Sequence, residues 1–200
     1  MKKIATIIFL CSLGFGATAQ EIQMKSITSL NYSIGVPTGN LNDFISRISG
    51  SGFSIDYKRM VAPNIYLGGE FGYNYFSEEK DYDTYTDETA SISGIQTRYN
   101  TSVPITLTAD YVFTDNSQFK PYIGLGIGTV YNNREVDLGL LTSAVDTWFF
   151  TLKPEAGIIY NLSSYTGIKV SSRYYQTFNN KDLDAHSYFA FDIGFVFMSF

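Results

Sequence analysis

Disulfide and thiol chemistry are the first things this sequence excludes. Its 200 residues hold one cysteine, Cys11, inside an apolar N-terminal run. No small residue stands directly before Cys11, as a lipoprotein signal would need. Tryptophan and histidine also occur once each, and proline five times. Charged residues make up 16%, against about 25% in soluble domains. The formal charge of −5 argues against nucleic acid as a partner, because its binders carry basic surfaces. No apolar run reaches the roughly 20 residues of a spanning helix. No glycine-rich phosphate loop precedes a helix, and no HxxxH or CxxC metal spacing exists. These absences leave no catalytic residue, metal ligand or cofactor to assign. His186 beside Ser187, with Asp184 near, is the one place for a Ser/His/Asp set. Adjacent residues of an extended strand face opposite sides, so His186 is read as a solvated loop histidine.

What is abundant is aromatic and glycine. Sixteen tyrosines, sixteen phenylalanines and seventeen glycines suit many strands and turns. The N-terminus reads as a targeting segment. Met1-Lys2-Lys3 is basic, Ile4 to Gly16 is apolar, and Ala17-Thr18-Ala19 is a small-x-small cleavage site. Residues 1–19 are therefore expected to be a cleaved signal peptide, with cleavage before Gln20. Residues 20–26 are polar and expected to be a peripheral periplasmic segment, and 27–200 the barrel.

From there the pattern alternates with a period of two, the mark of β-strands with unlike faces. Eight segments show it: 27–37, 52–61, 65–77, 92–113, 119–132, 145–161, 165–178 and the terminal 187–200. In the last, Phe189, Phe191, Ile193, Phe195 and Phe197 alternate with Ala190, Asp192 and Gly194. An aromatic strand of this kind is a hazard at a free edge and at home in a barrel closed within lipid. The connections alternate too. Links 62–64, 114–118 and 162–164 are short. Links 38–51, 78–91, 133–144 and 179–186 are longer, as in membrane barrels with short periplasmic turns and long outer loops. The fold class expected is all-β, an eight-stranded antiparallel up-and-down transmembrane barrel. The run of about 22 residues in the fourth segment exceeds the ~9–11 a spanning strand needs, so the third and fourth strands are expected to protrude.

A soluble eight-stranded ligand-binding barrel would put the aromatic face inside instead. The low charge, the tyrosines and phenylalanines near strand ends, and the small residues on the polar face favour lipid outside. The polar face is then the lumen. It carries the acids Asp56, Glu70, Asp110, Glu155 and Asp192 and the bases Lys58, Arg98, Lys153, Lys169 and Arg173. Such a balanced set is expected to pair and to fill a lumen with little room to spare. Gly124-x-Gly126-x-Gly128 reads as close lumenal packing. A narrow channel passing small solutes is the alternative.

The long links are acidic. Glu78, Glu79, Asp81, Asp83, Asp87 and Glu88 stand against Lys80 in the second; the third adds Glu135 and Asp137 against Arg134, and the fourth Asp182 and Asp184 against Lys181. They read as solvated loops or, more sharply, as a cation-binding loop bridging to lipopolysaccharide phosphates. The spacing matches no calcium-loop motif. In the first long link, Leu41, Phe44, Ile45 and Ile48 have helical spacing. A short amphipathic helix over 40–49 with Asn40 as cap is expected, on the outer leaflet, over the mouth or against neighbouring loops.

With its Ala17-Thr18-Ala19 signal end, eight alternating segments and aromatic terminus, the chain resembles the small outer-membrane β-barrel family, also called the porin family or OmpX/OmpA-like barrel domain. The resemblance covers about 25–200. It implies outer-membrane location in a Gram-negative envelope, and delivery by periplasmic chaperones and the barrel-assembly machinery. It also implies a C-terminal insertion signal at Asp192, Gly194, Phe197 and Phe200. Ser199 stands where that signal has an apolar residue, and Phe200 is out of phase, so a bulge or a bend is expected before it. The role expected is non-enzymatic, structural or in surface interaction, with outer-membrane lipid and lipopolysaccharide as surroundings and the chain acting as a monomer.

Overall fold

A computed structural model describes residues 24–87, 90–113, 117–139, 141–178 and 184–200, with backbone alone for 85–87 and 90–92. Among these residues, eight strands form one ring: β1 (Ser26–Thr38), β2 (Ser49–Ala62), β3 (Ile65–Asp87), β4 (Ala90–Val112), β5 (Phe119–Leu138), β6 (Leu141–Asn161), β7 (Thr166–Thr177) and β8 (Ser187–Ser199). Each strand pairs antiparallel with the next, and β8 returns to β1. The β1–β8 ladder runs without a shift from Ser26 opposite Ser199 to Thr38 opposite Ser187. Closure matters because lipid offers no hydrogen bonds, so an unpaired edge would cost several kcal/mol per group. The expected all-β, up-and-down barrel is the observed fold.

Alternation decides which side chain meets which medium. Leu30, Tyr32 and Ile34 of β1 point outward, while Ile27, Ser29, Asn31 and Ser33 are buried inside. The outer face has two aromatic belts. One includes the ring pairs Tyr75–Tyr99, Tyr131–Trp148 and Phe150–Phe178. The other includes Tyr111–Phe113, Phe119–Tyr160 and Tyr165–Phe200. On β4, β5 and β6 the belts are set by Tyr99 and Tyr111, Tyr131 and Phe119, and Trp148 and Tyr160. A step of about twelve residues at ~3.3 Å, tilted as barrel strands are, covers roughly 30 Å, the thickness of a bilayer core. Aliphatic side chains such as Leu107, Leu125 and Ile127 fill the band between.

Several boundaries differ from the sequence expectation. The third strand does not end at 77, nor the fifth at 132, and the sixth begins before 145. Most of 78–91 and 133–144 is strand, so the supposed loops are paired hairpins rising above the outer belt. Both hairpin faces meet water there, so no apolar alternation marks them. The helix expected over 40–49 is five residues, α1 (Asn40–Phe44); its cap is Gly39 at φ 54° rather than Asn40, and Ile45 is already extended. Leu41 and Ile45 are buried while Ile48 is exposed, so α1 tucks into the mouth. The polar run 20–26 also differs where described. Ser26 opens β1, and Met24 is buried at the base, its carbonyl accepting a 3.0 Å hydrogen bond from the Tyr66 hydroxyl. Residues 1–23 lie outside the described residues.

These outward and inward assignments make a testable prediction. Leu107 is 71% exposed in the middle of the lipid band. Leu107→Arg is expected to destabilise the barrel by about 2–4 kcal/mol. The readout is the fraction of protein whose gel mobility in SDS changes on boiling, which should fall in the variant; an unchanged folded fraction would place this face in water.

Candidate functional site

The lumen is built in three layers. At the periplasmic base, Met24, Ile27, Tyr66, Val112, Tyr122, Ile159, Val196 and Met198 form an apolar cluster. At the outer mouth, Leu41 and Ile45 of the α1 segment pack with Phe76, Tyr175, Tyr188 and Ala190. The Tyr175 and Tyr188 rings stack at 4.8 Å, and Phe76 meets Tyr188 edge-on at 5.4 Å. Between these layers lies a buried ionic network.

Arg173 of β7 is its centre. Its Nη2 lies 2.8 Å from Asp56 Oδ2, its Nε 3.2 Å from Asp192 Oδ2, and its Nη1 donates to Ser54 Oγ at 2.6 Å. Glu70 and Glu155 stand slightly farther, at 3.6 and 3.5 Å. Lys169 Nζ bridges Asp56 Oδ2 at 2.8 Å and Glu155 Oε1 at 2.9 Å. Lys153 joins Glu70 and, at 2.8 Å, Glu155 Oε2. Lys58 joins Asp110 and reaches toward Glu155 at 3.7 Å. The carboxylates collect neutral donors too. Ser29 and Asn31 donate to Asp56 at 2.6 and 2.9 Å, Tyr122 to Glu155 at 2.5 Å, Tyr175 to Glu70, and Ser33 and Ser171 to Asp192. Charges buried this deeply are costly unless they are paired and hydrogen-bonded.

Nine of the ten lumen residues expected from the sequence thus lie together: Asp56, Lys58, Glu70, Asp110, Lys153, Glu155, Lys169, Arg173 and Asp192. Arg98 does not. It sits at the mouth, donating from Nε to Gln96 at 2.6 Å and from Nη1 to the Phe44 carbonyl at 3.0 Å. Strand phase is right for Arg98, but its height is wrong, because β4 continues well above the outer belt. Without Arg98 the expected set that lies together is five acids and four bases rather than five of each. The hydroxyls and amides of Ser29, Asn31, Ser33, Ser54, Tyr122 and Tyr175 were not singled out from the sequence; their strand phase was the signal that could have found them. Glycines make the space. A Cβ on Gly124 would lie 2.2 Å from Asp110 Oδ1, and one on Gly126 2.9 Å from Lys153 Cε.

The acidic set expected as a cation-binding loop is split by its strands. Glu78 accepts from Ser46 N and Oγ, each at 2.8 Å, and pairs with Lys80 at 2.9 Å. Glu79 follows it on β3 and faces the other side. Asp83 accepts from the Thr84 backbone at 2.7 Å. The Asp87 side chain and Glu88 lie outside the described residues. Among the described residues no three such side chains converge on a common point.

Of the residues expected as a C-terminal insertion signal, Asp192 enters the network, and Gly194 lies where a Cβ would meet Asn31 Oδ1 at 2.3 Å. Phe197 faces outward. The Phe200 ring packs edge-on against Tyr165 at 5.9 Å. No bulge precedes it in the β1–β8 ladder; β8 ends at Ser199, and Phe200 lies one residue beyond the last pair. His186, expected as a solvated loop residue, is buried instead. Its Nε2 lies 3.3 Å from Ser102 Oγ, its Nδ1 has no partner, and its ring meets Phe149 edge-on at 4.9 Å. Among the described residues no acid pairs with the imidazole.

Two predictions come from this geometry. Arg173→Met leaves carboxylates uncompensated and is expected to cost about 3–5 kcal/mol, read from urea unfolding in lipid vesicles. Adding Asp56→Leu should recover part of that loss. The second concerns His186, in the β7–β8 link outside the spanning strands. Burial, with Arg134 nearby, pushes its pKa down to about 3. The folded value is below the unfolded one of about 6.5, so the linked stability is whole above that pH and is lost as pH falls toward 3. The imidazole signals of this single histidine should stay those of the neutral ring across that window; a midpoint near 6.5 would mean an open mouth.

Comparison with known proteins agrees with this architecture. The Neisserial surface protein A structure superposes with a TM-score of 0.55 at 16% identity, covering 87% of this chain and 97% of that one. Ail, the attachment invasion locus protein of Yersinia pestis, gives 0.55 at 13% identity, covering 89% and 100%. OprG of Pseudomonas aeruginosa gives 0.50 at 15%, covering 88% and 97%. At these identities the likeness is one of fold. No curated relative matches the chain at a significant level. The family model for the outer membrane protein beta-barrel domain matches residues 7–197. With strands that close in lipid, two aromatic belts and that match, the chain belongs to the outer membrane beta-barrel family and resides in the outer membrane.

Proposed function

We propose that this barrel is a non-enzymatic envelope protein whose lumen is plugged and whose acidic hairpins form a surface for interaction. The observation that carries this is the layering of the lumen, with an apolar seal at each end of a paired ionic core. A solute would have to separate charges held at 2.8–3.2 Å and displace the packed Leu41, Ile45 and Tyr188. An eight-stranded barrel has little space beyond its own side chains, which supports the same reading.

Outside the bilayer the β3–β4 hairpin presents Glu79, Asp81 and Asp83, and the β5–β6 hairpin Glu135, Asp137 and Asp146. Paired strands hold these charges far from the membrane at little entropic cost, as suits contact with a neighbouring surface or with the lipopolysaccharide layer. The aromatic β8, with Gly194 and Phe197, supports delivery by periplasmic chaperones and the barrel-assembly machinery. The signal peptide 1–19 belongs to the same proposal, with cleavage before Gln20.

Planar-bilayer recording tests the plug. The purified barrel is expected to give no stable, large open state, and liposomes carrying it should not swell in small sugars. A steady large conductance would overturn the plugged reading in favour of a narrow channel.

A further inference from the structure

The outer mouth holds a cavity that the ionic core does not use. It has a volume of about 360 Å³ and is lined by Asn40, Asp43, Phe44, Gln96, Arg98, Arg134, Val136 and Asp184. Two arginines meet there because β4 and β5 pair with Arg98 opposite Val136 and Asn100 opposite Arg134. Arg98 and Arg134 are thus diagonal neighbours on one face, and like charges so placed repel. Both guanidiniums lie over the Phe44 ring, at 5.2 and 4.5 Å from its centroid. Neither forms an ion pair within 4 Å among the described residues, although Asp184 lies near enough to act on Arg134 through space.

Arg134 is the unusual member. Its Nε and Nη2 are buried with no hydrogen-bond partner. An arginine fork left unmatched under a protein surface is costly, and it is a good match for the two oxygens of a carboxylate or phosphate. Arg98 differs, since Gln96 and the Phe44 carbonyl already hold its Nε and Nη1. It supplies fixed positive charge, while Arg134 supplies free donors.

We infer that this mouth cavity is a binding site for a small hydroxylated oxyanion, a sugar acid or sugar phosphate in chemical class, with Arg134 as its chief contact. A turn of the outer Arg134 torsions brings Nε and Nη2 to the oxyanion. Asp43, Asp184 and Asn40 then accept from hydroxyls, and the two carboxylates disfavour a ligand with charge spread along its length. The site stands above the Tyr175–Tyr188 layer, so it neither requires nor opens a path through the lumen.

The test uses the full folded barrel in detergent micelles free of lipopolysaccharide, with glucuronate, glucose 6-phosphate and uncharged glucose as probes. Arginine Nε–H NMR signals report the site directly. Glucuronate or glucose 6-phosphate is expected to shift the Arg134 signal saturably at one equivalent, and to bind about tenfold or more tightly than glucose, the scale of a lost charge-assisted contact. Arg134→Gln should weaken binding by about the same factor, and Arg134→Lys should restore only part of it. Arg59→Gln, on the exposed periplasmic end of β2, should leave binding unchanged. Heat-dependent gel mobility confirms that each variant is folded. Equal binding of glucose, no saturable shift with either anion, or full binding in folded Arg134→Gln would each overturn the assignment.

Discussion

Backbone hydrogen bonding in a medium that offers none is the constraint from which the rest of this molecule follows. An open sheet would leave one row of amides and carbonyls on β1 and another on β8 facing lipid. Pairing them makes the ring, and the ring fixes an inside and an outside. The outside must match hydrocarbon, so the alternate residues are leucine, isoleucine and phenylalanine, with tyrosine and tryptophan where the bilayer meets water. The inside is narrow, and its buried polar groups satisfy one another.

That second consequence explains the chemistry of the core. Arg173 can stay charged away from water because Asp56, Asp192 and Ser54 meet its guanidinium. Lys153, Lys169 and Lys58, on β6, β7 and β2, converge on Glu155 and reach Glu70, Asp56 and Asp110 in turn. Apart from Lys153–Glu155 within β6, these ion pairs join different strands, so the network links the barrel across its diameter as the ladders link it around its girth. Such pairs contribute little net free energy over an apolar filling. What they do is specify: a strand slipped by one residue would put its charge in lipid and its phenylalanine in the lumen.

The same logic shows how much of the fold could be read from the sequence. Where one face meets lipid and the other a polar lumen, the period of two is sharp, and Ile95 to Phe113 could be assigned residue by residue. Asp56, Glu70, Lys169 and Arg173 were legible as lumenal for that reason. Height along the axis was not legible, because alternation carries phase but no origin, and Arg98 was placed among partners it does not reach. Above the outer belt both faces are wet and the pattern fades, so Glu78 and Asp83 read as loop although they are in strand. The burial of His186 and Leu41 depends on contacts between segments far apart in the chain, with Phe149 and Tyr188, which a local pattern does not contain.

The β1–β8 seam also has a kinetic meaning. Ser33 and Asp192, which meet across it, are 159 positions apart in sequence. Every other ladder joins neighbours along the chain and can zip from a turn; this one can form only when the first and last strands are brought together, at a loop-closure cost no local turn reduces. Until then a chain with seven complete ladders still carries two bare edges. Ring closure is therefore the step most exposed to misassembly, and the one at which an external template on either edge would speed folding most.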